Sequence, residues 1–168
     1  MSGNIKILVV DDDRDFASMV AEFLRLTETW NQAAIAISTS YDDALRQLTT
    51  TKYDVAFFDY MLGARDGLSL LREVRERGVD TPIVVLTGHG AEDVAVESMK
   101  SGAADYLSKT HLSVVTLERT VRHAIAISEQ ERHRRQAEIA LRASGRISRK
   151  SVSRRPAANR DRGRRPLW

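Results

Sequence analysis

No cysteine occurs in the 168 residues. Neither a disulfide nor a thiolate-held metal is therefore available to this chain, and a reducing setting is expected. Long apolar runs are missing too, since none approaches the roughly 20 residues that a membrane helix requires. The first residues lack the basic segment and apolar stretch of a secretory signal. A soluble, cytoplasmic protein without membrane contact is expected. With hydrophobic residues at 42% of the composition, there is still enough apolar material for a real core. The length suits one ordinary domain with an appendage, not two full domains.

The formal net charge of +3 conceals a polarity between the two ends of the chain. Residues 1–128 carry 13 Lys/Arg against 19 Asp/Glu, whereas 129–168 carry 13 against 4. An acidic domain with a basic tail is a different object from a uniformly basic protein.

Residues 1–128 alternate strand and helix patterns five times. Ile5 to Val10 is a nearly continuous apolar run, as expected of a strand buried on both faces. Phe16, Met19, Val20, Phe23 and Leu24 then repeat at helical spacing. Ala33 to Ile37 reads as a second strand, and Ser40, three residues before Asp43, as the cap of a helix carrying Ala44, Leu45 and Leu48. The third strand is Val55 to Phe58, ending at Asp59. Leu68, Leu71 and Val74 give the next helix its stripe, with Gly78 as its stop. Pro82 precedes a fourth strand, Ile83 to Leu86. A helix from about Ala91 to Ser101, a short strand at Tyr106–Leu107 and a last helix from near Ser113 complete the series. Val114, Leu117, Val121, Ala124 and Ile125 share one face of that last helix. Strands alternating with helices of this length predict an α/β domain over 1–127, with a parallel sheet and helices on both faces. A helical extension over 128–143 and a basic, disordered tail over 144–168 are expected to follow it.

Parallel sheets of this type place their sites beyond the carboxyl ends of the strands. Asp11, Asp12 and Asp13 follow the first strand, Asp59 ends the third, Thr87 ends the fourth, and Lys109 follows the fifth. Singly, each has an ordinary explanation as a helix cap, a turn residue or a surface charge. Together they bring several carboxylates, one hydroxyl and one ammonium to one edge of one sheet. Crowded carboxylates repel unless one is protonated or a hard cation sits among them. Magnesium suits such oxygen ligands and is often shared with phosphate. A carboxylate can also attack phosphorus to give an acyl phosphate.

This set closely resembles response-regulator receiver domains over roughly residues 4–127. The matching segments are ILVVDDD at 7–13, VAFFDYMLGARDG at 55–67, VVLTGHG at 84–90 and GAADYLSK at 102–109. The resemblance implies a flavodoxin-like, doubly wound, five-stranded parallel sheet of order 2-1-3-4-5 with five helices. It implies that Asp59 accepts phosphate from a histidine kinase or phosphotransfer protein, with magnesium as cofactor. Asp12 would ligate the metal directly, Asp11 through water, alongside Asp59 and the backbone carbonyl of Met61. Thr87 would bind a phosphoryl oxygen, Lys109 would pair with it, and Tyr106 would move inward with Thr87. For Tyr106 taken alone, core packing is the plainer reading. Met61 and His89 would flank the phosphoryl group and tune its hydrolysis. The output would be a changed contact with a downstream protein through the fourth helix, fifth strand and fifth helix. A homodimer through the fourth and fifth helices is expected.

The chain departs from the family pattern after Lys109, where Thr110 replaces the usual proline, so a trans bond is expected there. Gly63 replaces a common proline and should loosen its loop. Two rival functions deserve weighing. A magnesium-dependent phosphohydrolase would want an acid two residues after the nucleophile, and that position is Met61. A pseudo-receiver scaffold would be expected to lack a key residue, yet all are present. The chain is thus expected to be a phosphoacceptor that assists its own transfer, not a turnover enzyme. The basic tail reads either as a solvated end or as a sequence-blind contact with nucleic-acid phosphates. No DNA-reading module is expected within the residues that follow the receiver. Residues 134–144, RRQAEIALRAS, resemble a helical linker between a receiver and a further domain.

Overall fold

The structure is a computed structural model that describes residues 4–88 and 92–152, with side chains described as far as residue 145. It divides into two compact units, Met1–Glu131 and Arg132–Trp168. In the first unit, strands β1 (Lys6–Val10), β2 (Ala34–Ser38) and β3 (Val55–Asp59) alternate with helices α1 (Arg14–Arg25) and α2 (Tyr41–Thr50). Two short strands, β4 (Met61–Leu62) and β5 (Arg65–Asp66), come next and lead into α3 (Gly67–Glu76). Strand β6 (Ile83–Thr87), helix α4 (Glu92–Lys100), strand β7 (Asp105–Ser108) and helix α5 (Val114–Val152) complete the order.

Five strands form one sheet in the order β2-β1-β3-β6-β7, and every pairing in it is parallel. With the small hairpin set aside, this is the expected doubly wound order 2-1-3-4-5. The central strands β1, β3 and β6 are apolar on both faces because helices cover both. Leu8, Ala56, Phe58 and Val85 face one core, with Leu48, Leu70 and Leu71. Their neighbours Ile7, Val9, Phe57 and Val84 face the other, with Val20, Leu24, Leu117 and Val121. Strict alternation along each strand is what divides the two layers.

Local signals explain where elements begin and end. The Ser40 side chain accepts from the Asp43 N–H at 3.2 Å and starts α2 as expected. Gly78 adopts φ 78 just beyond α3, the left-handed conformation of a helix stop. In α1 the buried stripe is Ala17, Val20, Ala21 and Leu24. Val20 and Leu24 are buried as expected, but Met19 is exposed, Phe16 and Phe23 are only partly buried, and Ala17 and Ala21 complete the stripe instead. Two alanines let the helix sit close to the sheet, and a reading weighted towards large residues passes over them.

Gly63 takes φ 70 at the tip of an antiparallel hairpin, with Met61 opposite Asp66 and Leu62 opposite Arg65. A glycine free to enter the left-handed region lets the chain reverse there. One further expectation needs correction: the helical extension does not stop at 143, because α5 runs to Val152. Arg and Lys are good helix formers, and one exposed glycine costs only about 1 kcal/mol. Of the tail expected to be disordered, residues 144–152 are therefore helical, and 153–168 lie outside the described residues.

Within the second unit, Glu138 pairs with Arg142 one turn on at 2.8 Å, and Ile139 and Leu141 are exposed. No described helix is long and apolar enough to cross a membrane. Leu117 is fully buried whereas Leu141 is 74% exposed. Leu117→Ala should therefore cost about 2–5 kcal/mol in urea unfolding, and Leu141→Ala no more than about 0.5 kcal/mol. Equal losses would show that the two stretches of α5 are not divided as described.

Candidate functional site

All five strands of the sheet run the same way, so the residues just past their ends gather at one edge. The aspartate triplet after β1 divides its labour. Asp13 caps α1, accepting from the Asp15 and Phe16 N–H groups at 3.0 and 3.1 Å. Asp12 is exposed. Asp11 is fully buried, and its Oδ1 accepts from the Asp13 N–H at 2.9 Å. The helix-cap reading of the triplet is thus realised by Asp13, whereas Asp11 is its buried member.

Lys109 reaches this edge from the turn after β7. Its Nζ lies 2.8 Å from Asp11 Oδ2 and 3.2 Å from Asp59 Oδ1. It also sits 4.1 Å from the centre of the Phe16 ring, a cation–π contact that shields the ammonium on one side. Burial works against the charged lysine, but the hydrogen bond to Asp11 and the charges of Asp59 and Asp11 outweigh it and raise its pKa. Residues 109–111 form a short 3₁₀ turn, and no cis peptide occurs among the described residues. Replacing the family's proline by Thr110 therefore leaves a trans bond and still delivers Lys109 to both carboxylates.

Asp59 is 5% exposed. Burial first, and then the neighbouring Asp11 charge, push its carboxyl up to about 6, against the opposing pull of Lys109 and a hydrogen bond from the Met61 backbone. One carboxylate oxygen from each of Asp11, Asp12 and Asp59 falls within 4.8 Å of the others. Three hard oxygen donors facing one ammonium leave an excess of negative charge, and that suits a divalent cation such as magnesium.

The other expected residues take more varied places. Thr87 ends β6, is 3% exposed and stands opposite Ser108, on the strand paired with β3. Tyr106 is 47% exposed on the edge strand β7, so it is not packed into the core. Met61 is 60% exposed on β4. His89 lies outside the described residues.

Gly67 was not foreseen. Its N–H donates to the Tyr60 carbonyl at 2.8 Å, and a side chain there would collide with the backbone carbonyl of Asp59. The close approach of α3 to the end of β3 thus requires glycine. The DG pair at 66–67 was the available signal. In the structure Asp66 caps α3 through the Ser69 N–H at 2.6 Å.

The chain matches the family model described as response regulator receiver domain over residues 7–121. It is 34% identical over 124 residues to the transcriptional regulatory protein ZraR of Salmonella typhimurium, covering 74% of this chain but 27% of that protein. The chain therefore spans about a quarter of the length of that relative. The receiver domain of Francisella response regulator 1452 superposes with a TM-score of 0.66 at 30% identity, covering 74% of this chain and 99% of that one. NtrX from Brucella abortus superposes with a TM-score of 0.70 at 27% identity, covering 80% of this chain and 30% of that one.

The raised carboxyl makes a stability prediction. The folded state holds the Asp59 proton more tightly than the unfolded chain, whose Asp titrates near 4. Its contribution to stability is therefore complete below about pH 4 and lost as the pH rises through about 6. At pH 7 the carboxylate is a net cost. With chelator present, Asp59→Asn should be more stable than the native protein at pH 7, by about 1–3 kcal/mol. At pH 4 the gain should disappear. Thermal unfolding of both proteins across this range measures it, and a stability loss at pH 7 would contradict the assigned cause.

Proposed function

This chain belongs to the response-regulator receiver domain family, and from that membership we propose that it is a phosphorylation switch in which Asp59 accepts a phosphoryl group with magnesium present. One observation carries the proposal: Lys109 lies within ion-pair distance of both Asp11 and Asp59, at the edge where three carboxylates meet. A carboxylate so placed, only 5% exposed and crowded by two others, is not a simple surface charge.

In the proposed transfer an oxygen of the Asp59 carboxylate attacks the phosphorus of a phosphohistidine on a kinase or phosphotransfer protein. The new P–O bond forms as the P–N bond breaks, and the departing imidazole keeps the electron pair and takes up a proton. Asp11, Asp12, Asp59 and the Met61 carbonyl would hold magnesium, which when bound supplies positive charge opposite the phosphoryl oxygens. The Lys109 ammonium pairs with a phosphoryl oxygen once Asp59 is esterified. The Thr87 hydroxyl donates to another, and Tyr106 follows Thr87 inward. Met61 would tune how fast water removes the group, a role that the family resemblance also gives to His89.

The signal would leave through α4, β7 and α5, where Val96, Met99, Tyr106 and Val115 are exposed. Phosphorylation biases an existing two-state equilibrium of that face towards contact with a downstream protein or a second copy of this chain. We favour this over a turnover phosphohydrolase because Met61 stands where such an enzyme would place its second acid. The complete set of Asp11, Asp12, Asp59, Thr87 and Lys109 argues against an inert scaffold. A cytoplasmic setting follows from the proposed kinase partner.

Intact mass measured after acetyl phosphate should show one added phosphoryl group that needs magnesium and is absent from Asp59→Asn. An unchanged native mass would end the proposal. Light scattering at micromolar concentration should show a homodimer whose population rises with phosphodonor. A monomer under both conditions would remove the second copy as the partner.

A further inference from the structure

The segment from Asp59 to Gly67 has three visible restraints. At its base the Gly67 N–H binds the Tyr60 carbonyl at 2.8 Å. In its middle Leu62 is buried in one of the two cores. Near its tip stands Arg65, whose guanidinium lies 3.6 Å from the centre of the Tyr41 ring and 2.5 Å from Asp42 Oδ1. Tyr41 and Asp42 are the first two residues of α2, so Arg65 ties the hairpin to a different part of the fold. The ring it rests on is itself fixed: Tyr41 is buried, and its hydroxyl donates to Glu73 of α3 at 2.6 Å.

Global stability does not explain the arrangement. The Arg65 and Asp42 side chains are 48% and 83% exposed, and exposed ion pairs contribute little to stability. The hairpin, by contrast, has few other anchors, and Met61 lies on it directly opposite Asp66, next to Arg65. A local restraint on a small element changes how that element divides its time among conformations even when the fold is unaffected.

We propose that Arg65 is a positioning residue for the cation site: clamped between Tyr41 and Asp42, it holds the Met61-bearing hairpin in the conformation that a divalent cation requires. This rests on the reading of Asp59 as the centre of a magnesium site. Arg65 touches neither cation nor phosphoryl group, so its loss reduces the fraction of molecules ready to bind magnesium and leaves the chemistry of the loaded site intact.

Calorimetric titration of magnesium chloride into the full chain tests this; Trp30 is unsuitable as a reporter because it lies beside Asn4 and Ile5, at the other end of β1. Arg65→Ala should weaken magnesium binding about two- to fivefold, the range of an exposed cation–π contact. Arg65→Lys, which keeps a cation over the ring, should recover most of the loss, and Asp42→Asn should weaken binding in the same direction by less. Arg72→Ala, which removes a comparable ion pair to Glu97 at 2.9 Å, should bind as the native protein does. Labelling by acetyl phosphate should be slower in Arg65→Ala at limiting magnesium and return to the native rate at saturation. Native affinity in Arg65→Ala, an equal loss in Arg72→Ala, or a rate deficit that persists at saturation would each overturn the proposal. Absence of magnesium binding in the native chain would overturn the reading of the Asp59 site as well, and is distinguished by that control.

Discussion

Three carboxylates and one ammonium share the carboxyl edge of the sheet, and the charge imbalance among them governs much of what surrounds it. Lys109 can bridge Asp11 and Asp59 but cannot neutralise both. Burial first, and then the residual repulsion from Asp11, raise the Asp59 carboxyl. The site is therefore strained towards anything that adds positive charge or removes a negative one. A fold can sustain such crowding only if the backbone beneath it does not yield. Here β1 and β3 are buried between two packed cores, which keeps Asp11 and Asp59 from drifting apart.

Around this fixed centre the restraints are graded. Gly67 presses α3 against the end of β3 so closely that no side chain fits between them. The β4–β5 hairpin beyond it is anchored by Leu62 and by the exposed Arg65 contacts. On the other side Thr87 is buried and Tyr106 exposed, on neighbouring strands β6 and β7. A hydroxyl near the charged edge and an aromatic ring at the surface are thus separated by one strand spacing.

Helix α5 serves both units in different ways. Its first turns are held by Leu117, Val121 and Ala124 in the core of the first unit. From Glu129 to Gly145 every residue is exposed. An isolated helix of that kind is only marginal in water, and its Arg-rich composition separates it chemically from the acidic domain that precedes it.

Much of the fold was legible because the signals were periodic and local. Continuous apolar runs identified β1, β3 and β6, while Ser40 and Gly78 marked helix ends by the conformations they favour. The site residues were legible for a related reason: in a parallel sheet, strand-end positions in sequence become neighbours in space. Ala17 and Ala21 in the α1 stripe were missed because small residues carry weak hydrophobic signal. The end of α5 was misjudged because composition alone does not separate a charged helix from a charged coil.

What the sequence by itself determined was the order of elements, the residue types at each strand end and hence the chemistry available. Only the tertiary structure decided which aspartate is buried and which caps a helix, that Lys109 reaches two carboxylates across a turn without proline, and that Arg65 rests on Tyr41. Those outcomes depend on distances between segments far apart in the chain. Local propensity and spacing do not encode them; the packing of both helical layers against one sheet does.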